Sequence, residues 1–488
     1  MKRIVIVLAL VGLSVFQMKA QTQVKILTFA EAVKIALQNS VILNQQKNNL
    51  EYSQMQKLQS VAAIAPSLTG NASASQFNGN SFNQNTGSVT NGVRDNVQGS
   101  LQANLNIFSG FNRHNQVKQF TNALDAQAYN VTRTTQDVIN TVAAQYLIVM
   151  QDIELLKIAK QNYEALNKQL EQVKVQVEVG SRSQVDEYNQ DALTKGAELR
   201  MVQAEILLNN DKTTLTQTLL IDPSEDYTVE KPVWDLTKMG YDSLDIEMLM
   251  VRAKENRGDY LRAVKTEAAS RYGAAAAKGF MSPYIYAFGA IGSAYNFQHD
   301  VSATVQETSS TPIVIFDPGA PTGYGVGYTE TTKEVPNRQL PRSFNDQFQS
   351  DNVYKQYGFQ LTVPLFNGLQ NRAAYKQQKV LYENNVWTRK NLEYLIKNDV
   401  MRTVRNFEGA KKAYVISLDQ QKAAQAALEL ETERYNLGIT NFVDFTNANR
   451  VYIQAETDKA QAEYRLVFQR IAIEYAIGTL KEEDIAEQ

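Results

Sequence analysis

The sequence predicts a mainly α chain that also supplies strands for a membrane β-barrel, built as a duplicated helix-strand-strand-helix unit. Three observations carry that expectation. Residues recur in pairs at a constant offset, an apolar seam repeats with the coiled-coil period, and two short segments alternate strictly between apolar and polar residues.

Phe108 and Gly110 recur as Phe366 and Gly368, and Gly180, Val185 and Asp186 recur as Gly438, Val443 and Asp444, each pair 258 residues apart. Nearer the start, Ala36, Asn39 and Pro66 recur as Ala253, Asn256 and Pro283, at an offset of 217. The second copy therefore holds 41 extra residues, 258 less 217, between its two strands. They fall within 296–353, where TPIVIFDPGAPTGYGVGYTE has the Pro, Gly, Thr and Tyr content of a long surface loop.

Taken in chain order, the first element is MKRIVIVLALVGLSVFQMKAQ. Lys2 and Arg3 precede an apolar run from Ile4 to Phe16, and small Ala20 follows, so residues 1–20 read as a cleavable export signal. The run is shorter than the roughly 20 residues a spanning helix needs, and no later stretch approaches that length. Membrane insertion is then expected only as a barrel. The first repeat is expected over 21–235, with strands near 67–77 and 97–108. The second is expected over 236–480, with strands near 283–295 and 354–366, and a polar tail at 481–488 closes the chain.

In QGSLQANLNIFSGFNR, residues 98–113, Leu101, Ala103, Leu105 and Ile107 fall on one face, opposite Ser100, Gln102, Asn104 and Asn106. YGFQLTVPLFNGLQNR, residues 357–372, repeats the pattern with Tyr357, Phe359, Leu361, Val363 and Leu365; Pro364 suits a strand end. The apolar face could meet a protein core or lipid, and alternation alone leaves both open. Tyr284, Tyr286 and Phe288 alternate in the third strand; in a barrel that pattern suits facing lipid or forming an interfacial girdle, and in a soluble fold it suits a core.

Residues 112–179 contain neither Pro nor Gly. Val142, Tyr146, Val149, Ile153, Leu156, Ala159, Tyr163, Leu166, Leu170, Val173 and Val177 cover 35 residues in ten steps, a mean of 3.5, the period of a coiled-coil seam. A single helix of that length reaches on the order of 100 Å. A matching helix is expected over about 370–437.

Four strands cannot close a membrane barrel, whose smallest form has about eight, so their open edges call for other copies of the chain. A dimer would supply eight strands and a trimer twelve; counting does not choose between them.

The chain resembles the outer membrane factor family, the TolC-like channels of efflux pumps and type I secretion systems. The resemblance runs over nearly the whole sequence after the export signal. It rests on LTFAEAVKIALQNS at 27–40, APSLTG at 65–70, the paired FSG and FNG strand ends, and VGSRSQVDEYNQ and LGITNFVDFTNA at the helical turns. The family implies a homotrimer with a twelve-stranded outer-membrane barrel and a long periplasmic α-helical coiled-coil barrel. It also implies a passive exit channel for a tripartite system, met by a periplasmic adaptor (membrane fusion) protein that links it to an inner-membrane pump. No cofactor and no metal are implied.

In the family, inward-folded helix pairs close the periplasmic end. Asp444 matches the first acid of that gate, but Asn447 stands at the next acidic position, and Thr440 stands where a basic residue is usual. Tyr435 matches a tyrosine of the closing contacts and Asp186 its acidic partner in the first copy. Gly180, Ser181, Gly438 and Ile439 match the tip that meets the adaptor. A purely structural role competes at each point. Asp186 and Asp444 stand three residues into helix-capping sequences, and the two glycines suit helix ends.

Other chemistry is sparse. Forty-nine Lys and Arg balance 51 Asp and Glu, which gives no global field for nucleic acid or an acidic substrate. No Cys is present, so disulfides are excluded. His114 and His299 stand far apart and read as solvated surface rather than metal ligands. The chain carries no P-loop, dinucleotide fingerprint or nucleophile elbow. A secreted coiled-coil scaffold or adhesin would account for the seam and the signal, yet it would not need two alternating hairpins at matched places.

Overall fold

A computed structural model describes residues 25–83, 88–222, 227–231, 245–299, 304–336 and 342–481. The expected export signal, the repeat boundary near 235 and the tail beyond 481 lie outside the described residues. The chain is mainly helical, and its residues group into two compact units, one drawn from 1–57, 118–272 and 378–488, the other from 58–117 and 273–377.

The duplication is visible as equal element lengths. Helices α1 (Phe29–Asn39), α2 (Val41–Ala62), α3 (Asn112–Glu178) and α4 (Gln184–Leu219) have 11, 22, 67 and 36 residues. Their counterparts α5 (Ile246–Asn256), α6 (Gly258–Gly279), α7 (Gln370–Asn436) and α8 (Phe442–Ile477) have 11, 22, 67 and 36. The 258-residue offset extends to backbone conformation. Gly110 and Phe111 are two successive left-handed residues directly before α3, and Gly368 and Leu369 stand the same way directly before α7.

In the first unit, short parallel strands β1 (Lys25–Leu27) and β4 (Tyr227–Val229) lie against α1, α3, α4 and α8. Their core gathers Phe29, Val33, Val142, Val149, Leu215 and Val467 around Tyr146, whose hydroxyl lies 2.8 Å from the carbonyls of both Leu27 and Glu230. Of the predicted seam, Val142, Tyr146, Val149, Leu166, Leu170 and Val173 are buried, because the 3.5 period keeps one stripe turned to the neighbouring helices.

The second unit is built on an antiparallel sheet of β2 (Ser67–Asn83), β3 (Ser88–Ser109), β5 (Tyr284–Gln298) and β8 (Tyr354–Thr362), in the order β2-β3-β5-β8. Its register aligns Leu68, Ala103, Gly289 and Tyr357 in one row, and Gly70, Leu101 and Ile291 in the next. One face therefore carries Leu68, Leu101, Leu105, Ile291, Phe359 and Leu361. Much of it is bare in the single chain, with Tyr357 87% and Phe359 78% exposed, while Leu105 is half-buried and Phe348 lies against Gly99. The opposite face carries Ser100, Gln102, Asn104, Gln356 and Gln360. Pro364 lies just past the end of β8, where its missing N–H costs no ladder bond.

Two expectations are corrected. Tyr286 pairs with Asn106 and Gln360, and Phe288 with Asn104 and Gly358, so the column from Tyr284 to Phe288 shares the amide face and not the apolar one. The register decides this, together with a bulge between Asn106 and Phe108 that sets Phe108 opposite Ile285. The described part of the insertion is also no irregular loop. It pairs β6 (Thr304–Phe316) with β7 (Tyr324–Pro336) as a separate two-stranded sheet, and the Pro and Gly residues concentrate in the turn from Asp317 to Gly323.

Candidate functional site at the helical turns

Both tip turns follow from the same local rules. Helix α3 ends at Glu178, Gly180 takes φ +76°, and the Ser181 N–H donates back to Gln176 O at 2.8 Å. In the second copy α7 ends at Asn436, Gly438 takes φ +72°, and the Ile439 N–H donates to Arg434 O at 2.9 Å. A Cβ at either glycine would meet nothing within 4 Å, so it is the left-handed backbone that requires glycine there.

The returning helices are capped differently. Ser183 caps α4 through a reciprocal box: its Oγ accepts from the Asp186 N–H at 3.3 Å, and Asp186 Oδ2 accepts from the Ser183 N–H at 3.2 Å. The Asp186 carboxylate is thus engaged in holding its own helix. At α8 the cap is Asn441, whose Oδ1 accepts from the Asp444 N–H at 2.9 Å. The Asp444 carboxylate is left over. Its Oδ2 lies 3.2 Å from Thr440 Oγ1, which also lies 3.0 Å from Glu431 Oε1. One hydroxyl proton serves two carboxylates, and Arg434 pairs with Glu431 at 3.1 Å. Asn447 is exposed and accepts from Arg450 at 2.8 Å.

Tyr435 is the packing centre of the tip, 3% exposed, with its ring stacked on Phe445 at 4.9 Å. Arg182, a residue the sequence reading passed over, joins the two turns. Its Nη2 donates to Tyr435 O at 2.7 Å and its guanidinium lies 4.1 Å from the Tyr435 ring centre. Burial pushes the Tyr435 phenol above its ordinary range, and the Arg182 charge pulls it back. Arg182 stands two residues after Gly180, the offset that Thr440 holds after Gly438. Aligning the two turns against each other exposes that exchange. Around them Val179, Val185, Leu437, Ile439 and Val443 are exposed. The arrangement is suited to contact and electrostatic control rather than bond making; among the described residues no group of three or more His, Cys, Asp and Glu is placed to hold a metal ion.

A model of outer membrane efflux proteins matches residues 32–219 and 331–479. The chain belongs to the outer membrane efflux protein family. As a member it is an outer-membrane exit channel with a periplasmic extension, in a family of transport channels rather than enzymes. It is 23% identical to the outer membrane protein TolC of Vibrio cholerae, over 72% of this chain and 70% of that protein. It is 27% identical to TolC of Salmonella enteritidis over 28% of each chain, so that match spans well under half of the relative. The fold matches the solved outer membrane protein VceC of Vibrio cholerae with a TM-score of 0.73 at 15% identity, over 92% of this chain and 96% of that one. It matches the CmeC outer membrane channel of Campylobacter jejuni with a TM-score of 0.72 at 14% identity, over 94% and 88%.

Proposed function

We propose that this efflux channel works as a homotrimer, in which repeats over 21–235 and 236–480 each give two strands to a twelve-stranded barrel. The observation that carries the reading is the four-stranded sheet, with one largely bare apolar face, one amide-rich face and outer edges on β2 and β8 that pair with nothing among the described residues. Lipid suits the first face, a wet lumen the second, and another copy the edges. Leu199, Val202 and Ile206, exposed at helical spacing on α4, offer a further apolar stripe for a neighbouring copy.

Substrate then passes through water without chemistry in this chain, driven by an inner-membrane pump through a periplasmic adaptor. The adaptor meets the tips at Gly180, Ser181, Gly438 and Ile439, whose apolar neighbours are uncovered in the single chain. Asp444 is the gate acid, joined by Thr440 and flanked by Asn447. Tyr435 and Asp186 help to hold the two turns.

The test is the mass of the mature chain extracted from outer membranes. A detergent-dependent particle of three chains supports the reading, and a water-soluble monomer overturns it. On that trimer, Asp444→Ala removes the carboxylate but leaves the backbone N–H that Asn441 caps, so α8 should persist. Cation selectivity and divalent block of reconstituted channels should fall several-fold. If both are unchanged, Asp444 serves only its helix.

A further inference from the structure

The column Tyr284, Tyr286 and Phe288 is unlike the rest of the face it shares. Its strand neighbours there are Asn104, Asn106, Gln360 and Gly358, all uncharged. The rings of Tyr284 and Tyr286 meet edge to face, with centres 5.2 Å apart. Phe288 lies over Gly358, where a Cβ would come within 3.0 Å of its Cζ. Tyr354 lies over Gly292 in the same way, a Cβ there falling 2.6 Å from its hydroxyl. At both places the missing side chain lets an aromatic ring rest against the backbone of the partner strand, the cross-strand rescue of glycine by an aromatic.

Aromatic rings held against glycines, with amides beside them and no charge among their strand partners, make a surface of flat apolar faces and hydrogen-bonding edges. We propose that this column is a stacking site for planar aromatic solutes, neutral or cationic, as they pass along the barrel interior. The ring faces are electron-rich and attract a delocalised cation, while Asn104, Asn106 and Gln360 can bond to its polar edge. A planar anion gains neither the cation–ring attraction nor a basic partner. The proposal rests on the barrel reading above, which turns this face inward and brings one such column from each protomer to a common lumen.

The experiment is single-channel recording of the full trimer in planar bilayers, with ethidium as the planar cation and a pyrene sulfonate as the planar anion. Ethidium should block the natural channel at lower concentration than the anion does. The Tyr286→Gln/Phe288→Gln variant gives the strand the amides already found on β8, and it should need at least tenfold more ethidium at unchanged potassium conductance. Equal ethidium block in the natural and variant channels overturns the stacking site while the channel stands. Failure of the natural protein to form any channel overturns the barrel reading and this site with it. Should the double variant not insert, Phe288→Leu, which keeps an apolar residue over Gly358, takes its place under the same criterion at a threefold threshold.

Discussion

Two buried charges in the helical unit are treated in opposite ways. Arg257, with its side chain 7% exposed, is bracketed by Asp259 at 2.8 Å and Asp399 at 2.9 Å, and it also donates to Ala476 O at 3.1 Å. Its charge is matched on the spot, which is the condition under which a buried ion is tolerated. Asp152 is 2% exposed on α3, and its hydrogen-bonding neighbour is another acid, Asp211 of α4. Burial first, and then Asp211, push the Asp152 carboxyl up to about 7 from an ordinary 3.8. The folded chain therefore keeps a proton that the unfolded chain releases, and stability falls as pH rises from about 4 to about 7. Asp152→Asn should flatten that slope and raise the unfolding temperature at pH 8, while matching the natural protein near pH 4. Thermal unfolding in detergent at a series of pH values reads this directly, and parallel slopes for the two proteins would rule out a role for Asp152. None of this was legible in the sequence, where Asp152 stands beside the apolar stripe as one more helical acid.

At the scale of elements, what was legible depended on periodicity. The long helices, their seam and the turns at Gly180 and Gly438 follow from apolar spacing and helix-ending residues, and both were read at nearly their observed limits. The β6–β7 hairpin was not, because Pro and Gly in its turn and Pro312 within β6 suggested loop, although Thr, Val and Tyr in the flanks favour strand. The face of Tyr284, Tyr286 and Phe288 was equally hidden: alternation says which residues go together, but only the register says with whom. Arg182 lies in a turn, outside any period, and it bears on opening. If the two turns part when the channel opens, losing its ring contact removes about 0.5–2 kcal/mol that favours the closed tip. Arg182→Gln should then raise resting conductance by roughly twofold to thirtyfold, with a smaller effect on the unfolding temperature, since Arg182 is only half-buried. Unchanged resting conductance would leave Arg182 as a packing residue of the tip.

For the whole molecule, the two copies share not only order but length, 67 residues in each outgoing helix and 36 in each returning one. Their agreement reaches single backbone angles, since Leu220 ends α4 at φ +53° where Gly478 ends α8 at φ +77°. A heptad added to α3 alone, with a compensating heptad in α4, would keep the seam in phase yet carry one turn about 10 Å beyond the other. The Arg182–Tyr435 contact would be lost, and efflux measured in cells should fall close to that of a strain without the channel. The same heptads added to both copies should restore it if the partner can follow the longer tip. Activity retained after the one-sided insertion would show that the turns act independently. The equal lengths thus behave as a shared ruler: the span of this conduit can drift over evolutionary time only through changes made twice in one gene, so its length is inherited as a paired trait.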